Sequence, residues 1–479
     1  MRFSPTRLRA LLASTCIAGA MMASIPFTAQ AQNAYDSPTG WGSYKRLFSV
    51  DSPWNARPVR PHLGTFELRK PVFNPTWLPA IDDGPYSLTV FKATASDTPM
   101  TVYNVADPDS ASYSRNVTLP HWPAGVTGAS GADGHADIVD TQTGIVHSFY
   151  RLRWVGGKWT AGMYSWTRID GRGWGDAVHW SQGVRSSGVP PSGGLIRRHE
   201  IDDGAEYYKH ALAMALPSQS LANGIDQPSY VFPATTADST ANTNTGQIPL
   251  GTRMMLPASF DHTTIASPAL RKVANTLRMY GALVVDRTYD VAFGIYIENG
   301  ANYTLMPNGW DPRVVADLER IRAALRPVLW GESWIDGDGN SFDNLDKPGV
   351  LSMRGDWQKV GGGGNGPGSF DTWQQALVFP YTEKKLSQVN YSTGASHVSW
   401  SALKSGNKMR FASVASGGAT IRLQVTVGGA LYFDSGYLGD GSSATFTWPN
   451  ASLGKVVVTL LADSGVWTAS KVRGVLTAN

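Results

Sequence analysis

Glycine and proline punctuate this chain too closely for long helices to form. The 479 residues include 51 Gly and 29 Pro. Gly admits left-handed and tight-turn conformations, and Pro removes a backbone donor and breaks helix interiors. Between these residues lie short aromatic and β-branched runs, the pattern of antiparallel strands joined by turns. The N-terminal stretch carries Ser52-Pro53-Trp54-Asn55 and then Pro58, Pro61, Pro71, Pro75 and Pro79. It reads as an extended wrapping segment or edge strand, since Pro cannot donate to a central ladder.

Strand-like runs follow at Tyr86–Ala93, Met100–Val105, Ile138–Val139, Val146–Trp154 and Trp159–Trp166. Gly156-Gly157 predicts that the last two form a hairpin. Two helices interrupt the pattern. Ser267-Pro268 supplies an N-cap and an N1 proline, Leu270, Val273, Ala274 and Leu277 recur at helical spacing, and Gly281 suits a left-handed end. Asp311-Pro312 opens the second in the same way, with Val314, Val315, Leu318, Ile321 and Leu325 on one face and Pro327 as the stop. The predicted class is α+β, predominantly antiparallel β (sandwich or jelly-roll-like) with a few helices. Gly361-Gly362-Gly363-Gly364-Asn365-Gly366-Pro367-Gly368 has linker composition. Beyond it, Ser399–Leu403, Lys408–Val414, Ala419–Val427, Ala430–Phe433, Ala444–Trp448 and Lys455–Ala462 predict a C-terminal β-sandwich. The expected organisation is a leader over 1–31, a main domain over 32–360, a Gly-rich linker region over 361–387 and a sandwich module over 388–479.

The leader is expected from Arg2, Arg7 and Arg9, an apolar stretch starting at Leu11, and the small-x-small signal Ala29-Gln30-Ala31. Ser14, Thr15, Ser24 and Pro26 make it too polar for a membrane anchor. Cleavage takes the formal charge from +4 to +1, because the segment carries three arginines and no acid. It also removes Cys16, the single cysteine, so no disulfide is expected although export permits one. The near-neutral mature chain lacks the basic excess that nucleic-acid binding needs. A secreted or periplasmic monomer without a membrane span is expected.

The chain carries 17 Trp and 18 Tyr but only 16 % charged residues. Core packing accounts for many aromatics, but flat exposed rings also suit sugars, whose C–H faces stack on π surfaces. The densest polar cluster lies between residues 133 and 210. His135 and Asp137 share a strand face, which suits a general base with its orienting carboxylate. Arg198, Glu200, Tyr207 and His210 lie close together in sequence, with Arg198 and Tyr207 read as substrate-binding and Glu200 and His210 as acid–base groups. Trp174 and Trp180 are the expected stacking residues, and Asp286 is a further candidate carboxylate. Asp336, Asp338 and Asn340 alternate like the start of a calcium loop. Ser341 replaces its turn glycine, and Lys347 stands where a bidentate Glu belongs.

Several of these marks together resemble a family of secreted bacterial proteins of unassigned activity. They are Ser52–Asn55, Asp133–His135, Gly194–Arg197 with Glu200-Ile201, and His210–Leu212. Gly251 and Arg253 with Leu256, and Tyr280-Gly281 with Asp286, complete the set. The gap from Gly204 to His210 is longer than in that pattern. The resemblance implies one intact catalytic-type domain over about residues 47–300 and supplies no chemistry. The residues themselves point to an extracellular glycan-cleaving enzyme, either a polysaccharide lyase or a glycoside hydrolase. A non-catalytic polysaccharide-binding or envelope-associated protein is the alternative.

Overall fold

Both helices form where their caps predict. Ser267 Oγ accepts from the Leu270 amide at 3.4 Å, Pro268 opens the Pro268–Met279 helix, and Gly281 ends the turn at φ 73°. Asp311 caps Pro312–Ala324 by accepting from the Arg313 amide at 2.9 Å. In both, the apolar stripe is buried in one core with the first sheet described below. The computed structural model describes residues 34–70, 78–107, 110–174, 181–224, 229–231, 233–342, 353, 357–364, 366–371, 376–390 and 405–478. The leader, Trp180 and the run Ser399–Leu403 lie outside the described residues.

The fold is mostly β, and antiparallel pairs prevail. The first sheet runs Arg57–Leu63, Arg326–Ile335, Arg253–Met255, Ala282–Thr288, Leu212–Pro217, Gly294–Tyr296, Ala80–Asp82, with Ser341–Phe342 beside Arg326–Ile335. Arg57–Leu63 carries Pro58 and Pro61 and takes the sheet edge, the place where a strand can lack donors. Leu212–Pro217 and Ala282–Thr288 pair in parallel at the centre, with a register shift that leaves Val285 bulged. The second sheet runs Thr89–Ala93, Ala136–Asp140, Ile145–Tyr150, Met163–Arg168, Thr98–Asp107, Lys158–Thr160, Arg153–Val155, with Ser110–Trp122 beside Thr98–Asp107. The predicted run Val146–Trp154 is broken by Arg151, which adopts φ 55°. Its tail, Arg153–Val155, closes the short hairpin with Lys158–Thr160 through Gly156 and Gly157, both left-handed.

The C-terminal strands form two five-stranded sheets around a core that includes Trp357, Phe379, Phe411, Ile421, Leu460 and Leu476. The structure corrects the expected linker over 361–387. Trp357–Lys359, Ser369–Asp371 and Ala376–Thr382 all belong to these two sheets, and Met353 is already in their core. Gly361 to Gly364 all take φ between 88° and 104°. The Lys359 amide donates to the Gly364 carbonyl at 3.1 Å, so the run reverses the chain within the sandwich. Glycine is needed there for successive left-handed residues.

Candidate functional site

The bulge at Val285 determines the geometry of the first polar centre. A bulge re-aims the next side chain, and here the freed Val285 carbonyl takes the Ser186 hydroxyl and the Ser187 amide, each at 3.3 Å. Asp286 follows in the same strand. Its carboxylate accepts from Arg185 Nη1 at 3.2 Å, from Ser186 Oγ at 2.9 Å and from the Arg287 amide at 3.0 Å. Arg185 sits on a turn closed by Gly188, whose amide donates to the Arg185 carbonyl at 2.8 Å. The loop has no room for a side chain at Gly183, where a Cβ would stand 1.8 Å from the Val189 carbonyl carbon.

Arg185 is 4 % exposed and lies over the Tyr296 ring at 3.9 Å. Its Nε and Nη2 are buried and have no hydrogen-bond partner. An unpaired buried donor costs about 1–3 kcal/mol, which sets Arg185 apart from an arginine whose donors are all satisfied. Around it stand three further carboxyls. Burial and then the charge of Asp286 raise Asp133, and the same two causes push Asp238 up to about 6. Burial also pushes Asp137 up to about 6, against the Ser192 amide that donates to its Oδ2 at 2.9 Å. Burial, then the Arg185 charge, holds His135 well below its usual value, so it is neutral. His135 stands just before the strand Ala136–Asp140 that carries Asp137. Asp137 is fully buried and His135 is 3 % exposed, which makes both supporting groups behind the half-buried Asp133, Asp238 and Asp286.

The second centre is a cleft of about 320 Å³ bounded by Trp41, Trp54, Lys45, Lys209, Glu200 and His210. His210 Nε2 meets Glu200 Oε2 at 3.2 Å, and its Nδ1 meets the Ala211 carbonyl at 2.9 Å. Burial alone would raise Glu200, but His210 and the Arg197 amide outweigh it and hold the carboxyl at about 2. Glu200 in turn raises His210 against its own burial. Glu298 fixes the neighbouring loop, accepting from Arg197 Nε at 2.8 Å and Arg198 Nε at 2.9 Å. Ser192 joins the two centres, because it lines the cleft while its amide serves Asp137.

Several predicted roles are corrected. His135 does not line the cleft that holds Glu200 and His210. Arg198 is committed to Glu298. Tyr207 packs on Tyr280 at 6.1 Å, and Trp174, 2 % exposed, stacks on Trp54 at 5.0 Å. Both therefore belong to the packing. Asp336 accepts from the Asp338 and Asn340 amides at 3.0 and 2.8 Å, and Asp338 accepts from Trp41 Nε1 at 2.7 Å. Asn340 Nδ2 also donates to Asp336 Oδ2 at 3.4 Å, so these side chains fold the turn on itself, and no group of three or more His, Cys, Asp or Glu that could hold a metal occurs among the described residues.

No protein-family model and no curated protein matches the chain. Among solved structures it is similar to TmCBM61 in complex with β-1,4-galactotriose, at 12 % identity and TM-score 0.15 over 22 % of this chain and 70 % of that one. It is also similar to a carbohydrate-binding module, CBM36, in complex with calcium and xylotriose, at 9 % identity and TM-score 0.11 over 26 % and 87 %. A third is the CBM36-1 domain of a multidomain xylanase from the hindgut metagenome of Trinervitermes trinervoides, at 13 % identity and TM-score 0.11 over 26 % and 86 %.

Sequence reasoning missed Arg185, Ser186, Asp238 and Tyr296. The one available signal for Arg185 was its setting, a lone charge within Ser181-Gln182-Gly183-Val184-Arg185-Ser186-Ser187-Gly188. A segment of Ser and Gly with no periodicity is a positioned loop, and loops carry functional groups.

Proposed function

We propose that this protein is an extracellular glycan-cleaving enzyme whose chemistry takes place around Arg185. The observation that carries this reading is a set of carboxyls in opposed environments about one buried guanidinium. Glycoside hydrolysis needs one carboxyl holding a proton and a second that is ionised. Asp286, gripped by Arg185, Ser186 and the Arg287 amide, is suited to the ionised role, as nucleophile or as base for a water. Asp238, pushed up to about 6, is suited to give its proton to the departing glycosidic oxygen. Tyr289 is 68 % exposed beside this centre, under the Arg287 guanidinium at 5.1 Å, and offers a face for a sugar ring.

Hydrolysis fits better than elimination. A lyase would need a uronate carboxylate to approach Arg185 past Asp133, Asp238 and Asp286, and the neutral His135 is buried behind them. The test is incubation with a panel of neutral and acidic polysaccharides. New reducing ends without the ultraviolet absorbance of an unsaturated uronide support the reading. Absorbance converts it to a lyase, and the absence of any product leaves a binding protein. The proton on Asp238 also sets a pH limit: kcat/KM falls as pH rises past about 6, because the acid is then ionised before the sugar binds.

A further inference from the structure

The C-terminal sandwich carries an exposed tryptophan held in a backbone conformation that such a residue rarely adopts. Trp467 has φ 62° and is 65 % exposed. A left-handed bulky residue is strained, and strain of this kind survives only where the surroundings enforce it and tends to gather at functional sites. The surroundings enforce it here at three points. The Trp467 amide donates to the Thr382 carbonyl at 2.7 Å, the Ser464 amide to the Leu386 carbonyl at 2.9 Å, and the Gly465 amide to Ser470 Oγ at 2.9 Å. Asp463 is 2 % exposed and anchors the same turn, taking Ser387 Oγ at 2.7 Å and Lys385 Nζ at 2.5 Å. The turn is thus built to present the indole at fixed height to solvent.

Two further exposed aromatics are linked to this turn, Tyr381 through its neighbour Thr382 and Tyr437 through Lys385, which pairs with Asp463. Tyr381, 59 % exposed, precedes Thr382 in a strand irregularity between Phe379 and Thr382. Tyr437, 41 % exposed, lies under Lys385 at 5.4 Å and Arg422 at 5.5 Å. Arg422 is itself fixed by both oxygens of Asp434, with Nε to Oδ1 at 2.7 Å. Flat rings separated by charged hydrogen-bonding groups do not make the contiguous apolar patch of a protein interface. They match a saccharide, which offers C–H faces to rings and hydroxyls to polar edges.

The geometry points to a saccharide-binding surface formed by Trp467, Tyr381 and Tyr437, distinct from the Arg185 centre. It deepens the glycan reading by giving the sandwich its own hold on the polymer. Pre-fixed rings lose little conformational freedom on binding, which is how such a shallow surface gains affinity.

The test is affinity electrophoresis of the full mature chain through gels containing xylan, galactan, hydroxyethylcellulose or polygalacturonate. At least one polymer retards the wild type, and Trp467→Asn with Tyr381→Ser weakens that retardation about tenfold or more. Asn tolerates the left-handed turn, so the fold is retained. Should the double variant fail to fold, protection of Trp467 from N-bromosuccinimide oxidation by the retarding polymer answers the same question in the wild type. The proposal is overturned if no polymer retards the wild type, if the variant is retarded equally, or if Trp467 instead mediates self-association seen in sedimentation. Asp286→Asn separates the two readings, since it retains full retardation. Retardation without product overturns the catalytic reading alone, and product without retardation overturns this one alone.

Discussion

Arg185 and Arg197 are both buried arginines paired with a carboxylate, yet their surroundings are opposite. Arg197 is satisfied: Nε donates to Glu298, Nη1 to the Tyr44 carbonyl at 3.2 Å, and its guanidinium lies over the Tyr44 ring at 4.9 Å. The neighbouring Glu200 is held at about 2 and its partner His210 is raised, so both stay charged and locked together. Arg185 leaves two buried donors unpaired, and Asp133 and Asp238 beside it are raised instead of lowered. A saturated network stabilises a fold, whereas an unsaturated one holds groups ready for a proton or a ligand. On the proposed reading, the difference gives Arg197 a structural role and Arg185 the chemical one.

The largest effect that tests this contrast is on turnover. Asp286→Asn keeps the shape of the side chain and removes its charge, so kcat falls by roughly a thousandfold, on the scale of losing an essential acid–base or electrostatic group. The buried Arg185 loses its carboxylate partner, so the melting temperature falls as well, but turnover falls far beyond the unfolded fraction. A variant that melts far lower, with turnover reduced only in proportion to unfolding, breaks the contrast.

Glu298→Gln should do the reverse. Glu298 is 2 % exposed and serves both Arg197 and Arg198, and removing one partner of a buried pair costs about 3–5 kcal/mol. Denaturant unfolding reads that loss directly, while the folded fraction keeps its turnover. The Glu200–His210 pair sharpens the prediction through pH. Glu200 is depressed from 4.5 to about 2, so its stabilisation is complete above pH 4.5 and is lost as pH falls toward 2. His210 is raised above 6.5, so its share is complete below that value and disappears as pH rises through the raised one. Stability attributable to the pair therefore peaks between about pH 4.5 and 6.5.

The two centres also differed in how far the sequence disclosed them. Glu200 and His210 were legible because they lie ten residues apart and meet within one local excursion of the chain. The helices were legible because Ser267, Asp311 and the prolines after them act locally. Arg185 meets Asp286 across 101 residues and Asp238 reaches the same place from a third loop, a convergence that depends on the parallel pairing of Leu212–Pro217 with Ala282–Thr288. Local pattern cannot report such a meeting. The glycine run misled for a related reason, since composition reads as flexibility while the hydrogen bonds from Lys359 and Gly366 make it a reversal within the sandwich.

A smaller effect tests the support beneath the Arg185 centre. Asp137 is raised from 3.8 to about 6, so ionising it costs the folded state roughly 3 kcal/mol once pH exceeds 6, a cost that grows as pH rises from 3.8. Asp137→Asn removes the charge and leaves an oxygen to accept from the Ser192 amide. The variant should match the wild type near pH 3.5 and unfold at higher denaturant above pH 6. Equal stability across the range means that Asp137 is not desolvated as its burial implies.

The smallest effect concerns the loop at Asp336. A cation at this turn would need oxygen atoms free to face it, but the Asp338 and Asn340 amides already point their hydrogens at Asp336 Oδ1. Asp338 would also have to give up the Trp41 indole donor at 2.7 Å, and Lys347 supplies no carboxylate to complete a seven-oxygen shell. Binding at ten times the dissociation constant raises stability by about 1.4 kcal/mol, a shift that thermal unfolding resolves. Millimolar calcium and a chelator should therefore give melting temperatures within about 1 °C of each other. A calcium-dependent rise of several degrees that Asp336→Ala abolishes would show that the turn opens to take the ion, and the hydrogen-bonded form described here would then be its cation-free state.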